Sequence, residues 1–235
     1  MRKNGREKDQ LREITLIPDY IKNVPGSVLV QQGDTRVVCT ALYETRVPFF
    51  LKNSGKGWVQ AEYAMLPGST GNDRVVRERQ RTNNRHIEIQ RFIGRSLRTT
   101  FPMKRIDGIT ITVDTDVLEA DGGTRCASIN GGMIAMVKCL KRLVYENIIP
   151  SLPQIQFIAA VSIGVLKNEI LVDLDYKEDF DADADINVVS SEKGDIVEVM
   201  AFAEESTIPR AIFQQVVEIG VQKNLEIIDK LKKCV

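Results

Sequence analysis

The chain has 235 residues but a single histidine, His86, and a single tryptophan, Trp58, and aromatic residues make up only 6% of it. A Ser-His-Asp relay would have to be built on His86, and the sequence nominates no serine and carboxylate to flank it, so hydrolase chemistry of that type is not expected. The four cysteines (Cys39, Cys126, Cys139, Cys234) share no metal-ligand spacing, and three lie in apolar stretches. No apolar run approaches the roughly 20 residues of a spanning helix, so no membrane partner is expected. The polar start Met1–Arg6 leads to no apolar export signal, which predicts a cytoplasmic chain with reduced, mostly buried thiols. Net charge is missing too: 32 Lys+Arg stand against 32 Asp+Glu. That excludes a polycation that coats nucleic acid by bulk charge, but not a dipolar molecule. What remains, 43% hydrophobic and 27% charged, is ordinary composition for a folded core.

Periodicity divides this material into elements. Arg12–Ile17 alternates polar and apolar residues and reads as a strand. Ser27–Gln32 and Arg36–Tyr43, parted by Gly33-Asp34-Thr35, read as a hairpin. Glu44–Pro67 reads as irregular, with a short apolar piece at Trp58, and Gly68–Asn84 as a surface loop. Between Arg85 and Thr100 the period changes: Ile89, Ile93 and Leu97 recur every fourth residue, which predicts a helix with one buried stripe and Arg91, Arg95 and Arg98 on another face. Ile109–Val117 is a strand with Asp114 and Asp116 on its polar side. Thr124–Ile148 is a long helix whose small residues predict burial on several sides. After Pro150-Ser151-Leu152-Pro153, the one internal boundary, strands are expected at Gln156–Leu166, Glu169–Asp175, Ile186–Ser190 and Ile196–Phe202. A last helix from about Pro209 to Lys232 would bury Ile212, Val216, Ile219, Leu225 and Ile228. The class is α+β, with a first half over residues 1–150 and a second over 151–235.

Charge is segregated along this frame. Ten basic residues fall between Asp73 and Arg105, nine of them arginine: Arg74, Arg77, Arg79, Arg81, Arg85, Arg91, Arg95, Arg98, Lys104 and Arg105. Arginine presents a planar fork matched to phosphate oxygens, so this run points to phosphate or nucleic acid; its plainer reading is a solvated face. The second half answers with Asp173, Asp175, Glu178, Asp179, Asp181, Asp183 and Asp185, opposed only by Lys177. Such a cluster repels itself unless a cation or arginine neutralises it, and it is either a hard-cation site or an acidic loop. Its Asp181-Ala182-Asp183-Ala184-Asp185 spacing imitates a calcium loop, but the sixth place, which needs glycine, is Ile186.

Asp121-Gly122-Gly123-Thr124-Arg125 is the sharpest local feature. Two glycines allow unusual φ and close approach, Thr124 is a candidate N-cap, and the helix start with Arg125 makes an anion site. The Gly-Lys-Ser/Thr ending of a Walker loop is missing, and so is Gly-x-Gly-x-x-Gly.

Together these stretches resemble the ribonuclease PH family of phosphate-dependent 3′ exoribonucleases. The matching segments are Gly26–Val30, Gly33-Asp34-Thr35, Gly57-Trp58, Ala61-Glu62-Tyr63, Met65-Leu66-Pro67, Glu88-Ile89-Gln90-Arg91, Asp114 with Asp116-Val117-Leu118, Ala120–Arg125, and Asp185 with Asn187-Val188-Val189. The resemblance implies a ribosomal-protein-like βαβ fold with a left-handed crossover, two tightly packed halves of mixed sheet and helices, and a homo-oligomer, a hexameric trimer of dimers. It implies trimming of tRNA 3′ ends, with inorganic phosphate attacking the terminal phosphodiester and a nucleoside diphosphate leaving. By motif, Arg85, Gly123, Thr124 and Arg125 bind phosphate, and Asp179 and Asp185 serve catalysis and hold Mg²⁺ or Mn²⁺. Arg91 and Arg98 hold the RNA backbone, and the loop with Arg74, Arg77 and Arg79 grips the tRNA body. The alternative it leaves is a non-catalytic RNA-binding subunit of an exosome-like ring. Two stretches depart from the pattern: Asn83-Asn84 before Arg85, and Met200–Glu205, which lacks the usual glycines.

Overall fold

The computed structural model describes residues 2, 5–71, 74–77, 83–203 and 207–235. Nine strands form two sheets among these residues, and four helices pack on them.

The first sheet has the order β1-β2-β3-β5-β4. Strands β1 (Ile14–Pro18), β2 (Gly26–Gln32) and β3 (Thr35–Glu44) are an antiparallel meander. The β2–β3 turn is two residues, Gly33-Asp34, because Gln32 pairs with Thr35. Gly33 sits at φ 59° there, the left-handed conformation such a turn demands. The expectation of an irregular 44–67 segment is corrected at β4 (Trp58–Met65), which runs parallel to β5 (Thr110–Glu119). Val59, Ala61 and Tyr63 are buried and Gln60 and Glu62 exposed, so the period of two was present, carried partly by alanine. Parallel neighbours need a crossover, and α1 (Asn84–Arg98) lies within it. Asn83 caps α1 by accepting from the Arg85 N–H at 2.9 Å. Ile89, Ile93 and Leu97 are buried as the stripe predicts, joined by Phe92. Each such side chain contributes about 1.5–3 kcal/mol through burial.

The second sheet, β7-β6-β8-β9, is antiparallel throughout: β6 (Ile158–Leu166), β7 (Glu169–Val172), β8 (Ala184–Ser191) and β9 (Ile196–Ala203). Ile186 is a buried residue of β8, so no calcium loop forms there. Helix α2 (Thr124–Tyr145) runs between the sheets. Towards the first sheet, a Cβ on Gly131 would lie 2.5 Å from Cys39 Sγ, and one on Gly132 would lie 3.2 Å from Val113. Towards the second, the Asn130 side chain bonds the Ala160 N–H at 2.8 Å and carbonyl at 3.0 Å.

Alternation along β8 then decides what faces what. Asn187, and Asp185 with it, point to the α2 side, where Cys126 Sγ meets Asn187. Val188 points the other way, onto Gly220 of α4 (Arg210–Lys232). The sequence had placed Leu225 on the buried face of this last helix. It is exposed, and Ile227 and Leu231 join Val216 and Ile228 in the core instead. Cys39, Cys126 and Cys139 are buried reduced thiols, and burial pushes Cys139 up to about 12. No helix of the described residues is long and apolar enough to cross a membrane.

Candidate anion and carboxylate site

The N-terminus of α2 is shaped by two left-handed glycines, Gly122 at φ 76° and Gly123 at φ 67°. Gly123 is the N-cap, and its carbonyl accepts from the Ala127 N–H. Thr124 is therefore not the cap that its type suggests. It is the first helical residue, and its hydroxyl is 3.0 Å from the Tyr63 hydroxyl at the end of β4. Carbonyls of the turn are drawn away from the helix start: Thr35 Oγ1 and Arg12 Nη2 both donate to Gly122 O, and Arg12 Nη1 donates to Asp121 O. What the turn presents forward is the positive end of the helix and its N–H donors.

The same turn is seated against the second sheet. A Cβ on Gly122 would lie 2.4 Å from the Leu174 carbonyl, so only glycine fits. Asp173 is completely buried, and it takes the Arg12 N–H and Nη2 at 2.7 Å each and Nε at 3.1 Å. Burial alone would lower the Arg12 pKa, but Asp173 outweighs it and holds it above the usual value.

Downstream lies an element the sequence reading missed, the six-residue helix α3 (Tyr176–Asp181). A capping box starts it: Asp175 accepts from Glu178 N–H at 2.9 Å, and Glu178 accepts from Asp175 N–H at 3.1 Å. Arg2 reaches Glu178 at 2.7 and 2.8 Å, and Arg6 reaches it at 3.3 Å. These contacts overcome burial and leave Glu178 below its ordinary pKa. Asp183 caps elsewhere, accepting from Lys167 N–H at 2.6 Å.

The acidic run is thereby sorted. Asp173, Asp175, Glu178 and Asp183 hold the fold, and Asp179 and Asp185 remain for the site. Asp185 accepts from Ser162 at 3.2 Å and from Asn187 at 3.0 Å, and its Oδ2 is 3.8 Å from Arg125 Nη1. Burial raises its pKa against the pull of Arg125. Burial and then the Asp185 charge push Asp179 up to about 6, against Arg125, Arg85 and Arg12. The Arg125 guanidinium lies 5.5 Å over the Phe202 ring, Nη1 is 3.9 Å from Met200 Sδ, and Nε is buried without a hydrogen-bond partner among the described residues. Met200 and Phe202, residues of the atypical stretch, are thus the wall behind Arg125.

The glycine turn and Asp179 share one cleft of about 1010 Å³, lined by Arg74, Arg85, His86, Gly123, Thr124, Tyr176 and Asp179 among others, and Asp185 stands behind that lining, near enough for its charge to act on Asp179. The basic run separates into distinct uses. Arg74 and Arg85 face the cleft, and Arg77 is close enough to Asp116 to oppose the burial that raises its pKa. Arg79 lies outside the described residues. Arg91 is exposed on α1 away from the cleft lining. Arg98 donates to the Val59 carbonyl at 2.8 Å and lies 4.2 Å over Trp58, and Arg95 pairs with Glu198. Tyr63 and His86, stacked edge-on at 5.3 Å, line the cleft although no sequence argument had chosen them.

Two carboxylates with room for water and phosphate oxygens fit Mg²⁺, which keeps several waters and takes one or two protein carboxylates. Among the described residues no group of three or more His, Cys, Asp or Glu side chains could hold a metal, so a dedicated protein cage is not what this site offers.

Residues 10–141 match the description "3′ exoribonuclease family, domain 1", and residues 156–223 match "domain 2" of the same family. Ribonuclease PH of Bacillus cereus (strain AH187) is 41% identical over 237 residues, covering 100% of this chain and 96% of that protein. Ribonuclease PH of Bacillus anthracis (strain CDC 684 / NRRL 3495) is likewise 41% identical over 237 residues, with the same coverage. Among solved structures, the Archaeoglobus fulgidus exosome with RNA bound to the active site superimposes with a TM-score of 0.84 at 19% identity, covering 97% of this chain and 92% of that one. An archaeal exosome core gives 0.79 at 18% identity, covering 97% and 90%.

Proposed function

The chain belongs to the 3′ exoribonuclease family of ribonuclease PH, and on that premise we propose that it is a phosphorolytic 3′→5′ exoribonuclease that trims tRNA 3′ ends. The observation that carries this reading is the helix-start anion pocket, with Arg125 3.8 Å from a carboxylate that it does not close upon. Phosphate and phosphodiester repel one another, and a site joining them must cancel charge on both while holding them in line. Arg85, Arg125 and the N–H groups after Gly123 receive inorganic phosphate. One phosphate oxygen bonds to the terminal phosphorus, the bond to the preceding 3′ oxygen breaks, and that oxygen takes up the proton the phosphate gives up. The products are a nucleoside diphosphate and RNA one residue shorter. Because one phosphate linkage replaces another, the reaction runs backwards with excess diphosphate.

Asp179 and Asp185 hold Mg²⁺ or Mn²⁺, which when bound supplies positive charge to the phosphoryl oxygens. Ser162 and Asn187 keep Asp185 oriented. The loop bearing Arg74, Arg77 and Arg79 grips the tRNA body and Arg91 the RNA backbone, while Arg98 acts by seating α1 on β4. A homo-oligomeric ring, a hexamer built as a trimer of dimers, is part of the same reading, and the presence of exosome components among the structural relatives supports an assembly of several chains.

The test is incubation of the chain with a tRNA bearing extra 3′ residues, with phosphate varied. Nucleoside diphosphates should appear in proportion to phosphate, stop without it, and be re-incorporated when diphosphate is in excess. Monophosphate products, or RNA bound but unshortened at saturating phosphate, would overturn the proposal.

A further inference from the structure

Helix α3 presents more to the cleft than Asp179. On either side of that carboxylate in sequence stand Tyr176 and Phe180, one helical turn apart, with ring centroids 6.5 Å from each other and planes tilted by 34°. Tyr176 is 61% exposed and Phe180 79% exposed, large apolar areas to leave in water beside a polar site. Tyr176 is part of the cleft wall, and its N–H donates to Asp121 of the glycine turn at 3.2 Å. A six-residue helix has no independent stability. This one is fixed by its capping box and by Arg2 and Arg6 on Glu178. Its two rings are therefore pre-positioned, and little ordering remains to oppose whatever covers them.

We propose that Tyr176 and Phe180 are a stacking platform for the 3′-terminal base of the RNA, beside the carboxylate that serves its phosphate. The inference rests on the phosphorolytic reading and adds to it a site for the base. Every nucleobase has a π face, so an aromatic platform accepts any sequence, as a trimming enzyme requires, while arginines hold the phosphates. Tyr176 lines the cleft that holds Arg74 and Arg85, and Phe180 extends its ring surface outward from that wall, so the base and the phosphate of one nucleotide fall in adjoining places.

The test compares equilibrium binding, in the absence of phosphate, of two short RNAs that differ only in whether the terminal residue carries its base. The wild-type chain should prefer the intact end by about tenfold or more. In the double variant Tyr176→Ala/Phe180→Ala the preference should fall to near one, with melting temperature and sedimentation mass unchanged. Phe180→Trp should retain it. A preference that survives the double variant overturns the platform, as does a variant that changes sedimentation mass while keeping the preference, for the rings would then be a subunit contact. Because binding is read without turnover, a chain that fails to release diphosphate would sink the reaction and leave this comparison readable.

Discussion

Arg12 with Asp173 and Arg125 with Asp185 use the same two residue types for opposite ends. In the first pair three donors converge on a fully buried carboxylate at 2.7–3.1 Å. In the second the closest approach is 3.8 Å, Asp185 takes its bonds from Ser162 and Asn187, and Arg125 Nε has no hydrogen-bond partner among the described residues. The first pair spends its charge on itself. The second keeps its charge for something that comes and goes, and burial, which Arg125 offsets only in part, holds the pKa values of Asp179 and Asp185 above the ordinary one.

The sharpest way to break the contrast is Arg12→Ala. It leaves Asp173 buried and unpaired, and it should cost about 3–5 kcal/mol of stability in denaturant unfolding. Arg125→Ala should leave unfolding nearly unchanged and lower phosphate-dependent diphosphate release by about 10²-fold or more. If the two variants exchange these signatures, the division of labour is wrong. Asp179→Asn should sharpen it. An Asp whose folded pKa is raised favours folding when protonated, so ionised Asp179 costs stability once pH rises through about 6. The variant should gain about 1–2 kcal/mol above that pH, after allowance for solvent screening, and the gain should vanish below about pH 4. Mg²⁺ should raise the melting temperature of the wild type and leave that of the variant unchanged. The smallest effect belongs to Arg74→Ala/Arg77→Ala. Affinity for tRNA should fall more than affinity for a short oligonucleotide, and the logarithmic salt slope should flatten by on the order of 0.7 to 0.9 per lost contact.

Most of the frame was legible because its periods are strong. The Ile89–Ile93–Leu97 stripe, the β5 alternation and the small residues of α2 each point to a burial pattern that the fold displays. Strand β4 was hidden because Ala61 and Ala64 dilute its alternation. Helix α3 was hidden because acidic residues dominate it, although Asp175-x-x-Glu178 was a readable capping signal. At the site, the glycine turn and the two carboxylates could be named, but not why those two and not their five acidic neighbours. Asp173 and Glu178 are claimed by Arg2, Arg6 and Arg12, more than 160 positions away, and no local pattern carries such partnerships; Asp175 and Asp183 are claimed by the nearer N–H groups of Glu178 and Lys167. Thr124 shows the converse: a good capping type whose hydroxyl was claimed by Tyr63, while left-handed Gly123 took the cap.

That long separation has a bearing on synthesis. The ribosome emits Arg2, Arg6 and Arg12 first, and their acidic partners, Glu178 for the first two and Asp173 for the third, only after more than 160 further residues. Until then the turn at Gly122 has no Leu174 and Asp175 to rest on, and the pocket has one wall. A half-made chain thus carries cations without the acidic pair, and competence arrives only when late-translated residues return to the earliest ones.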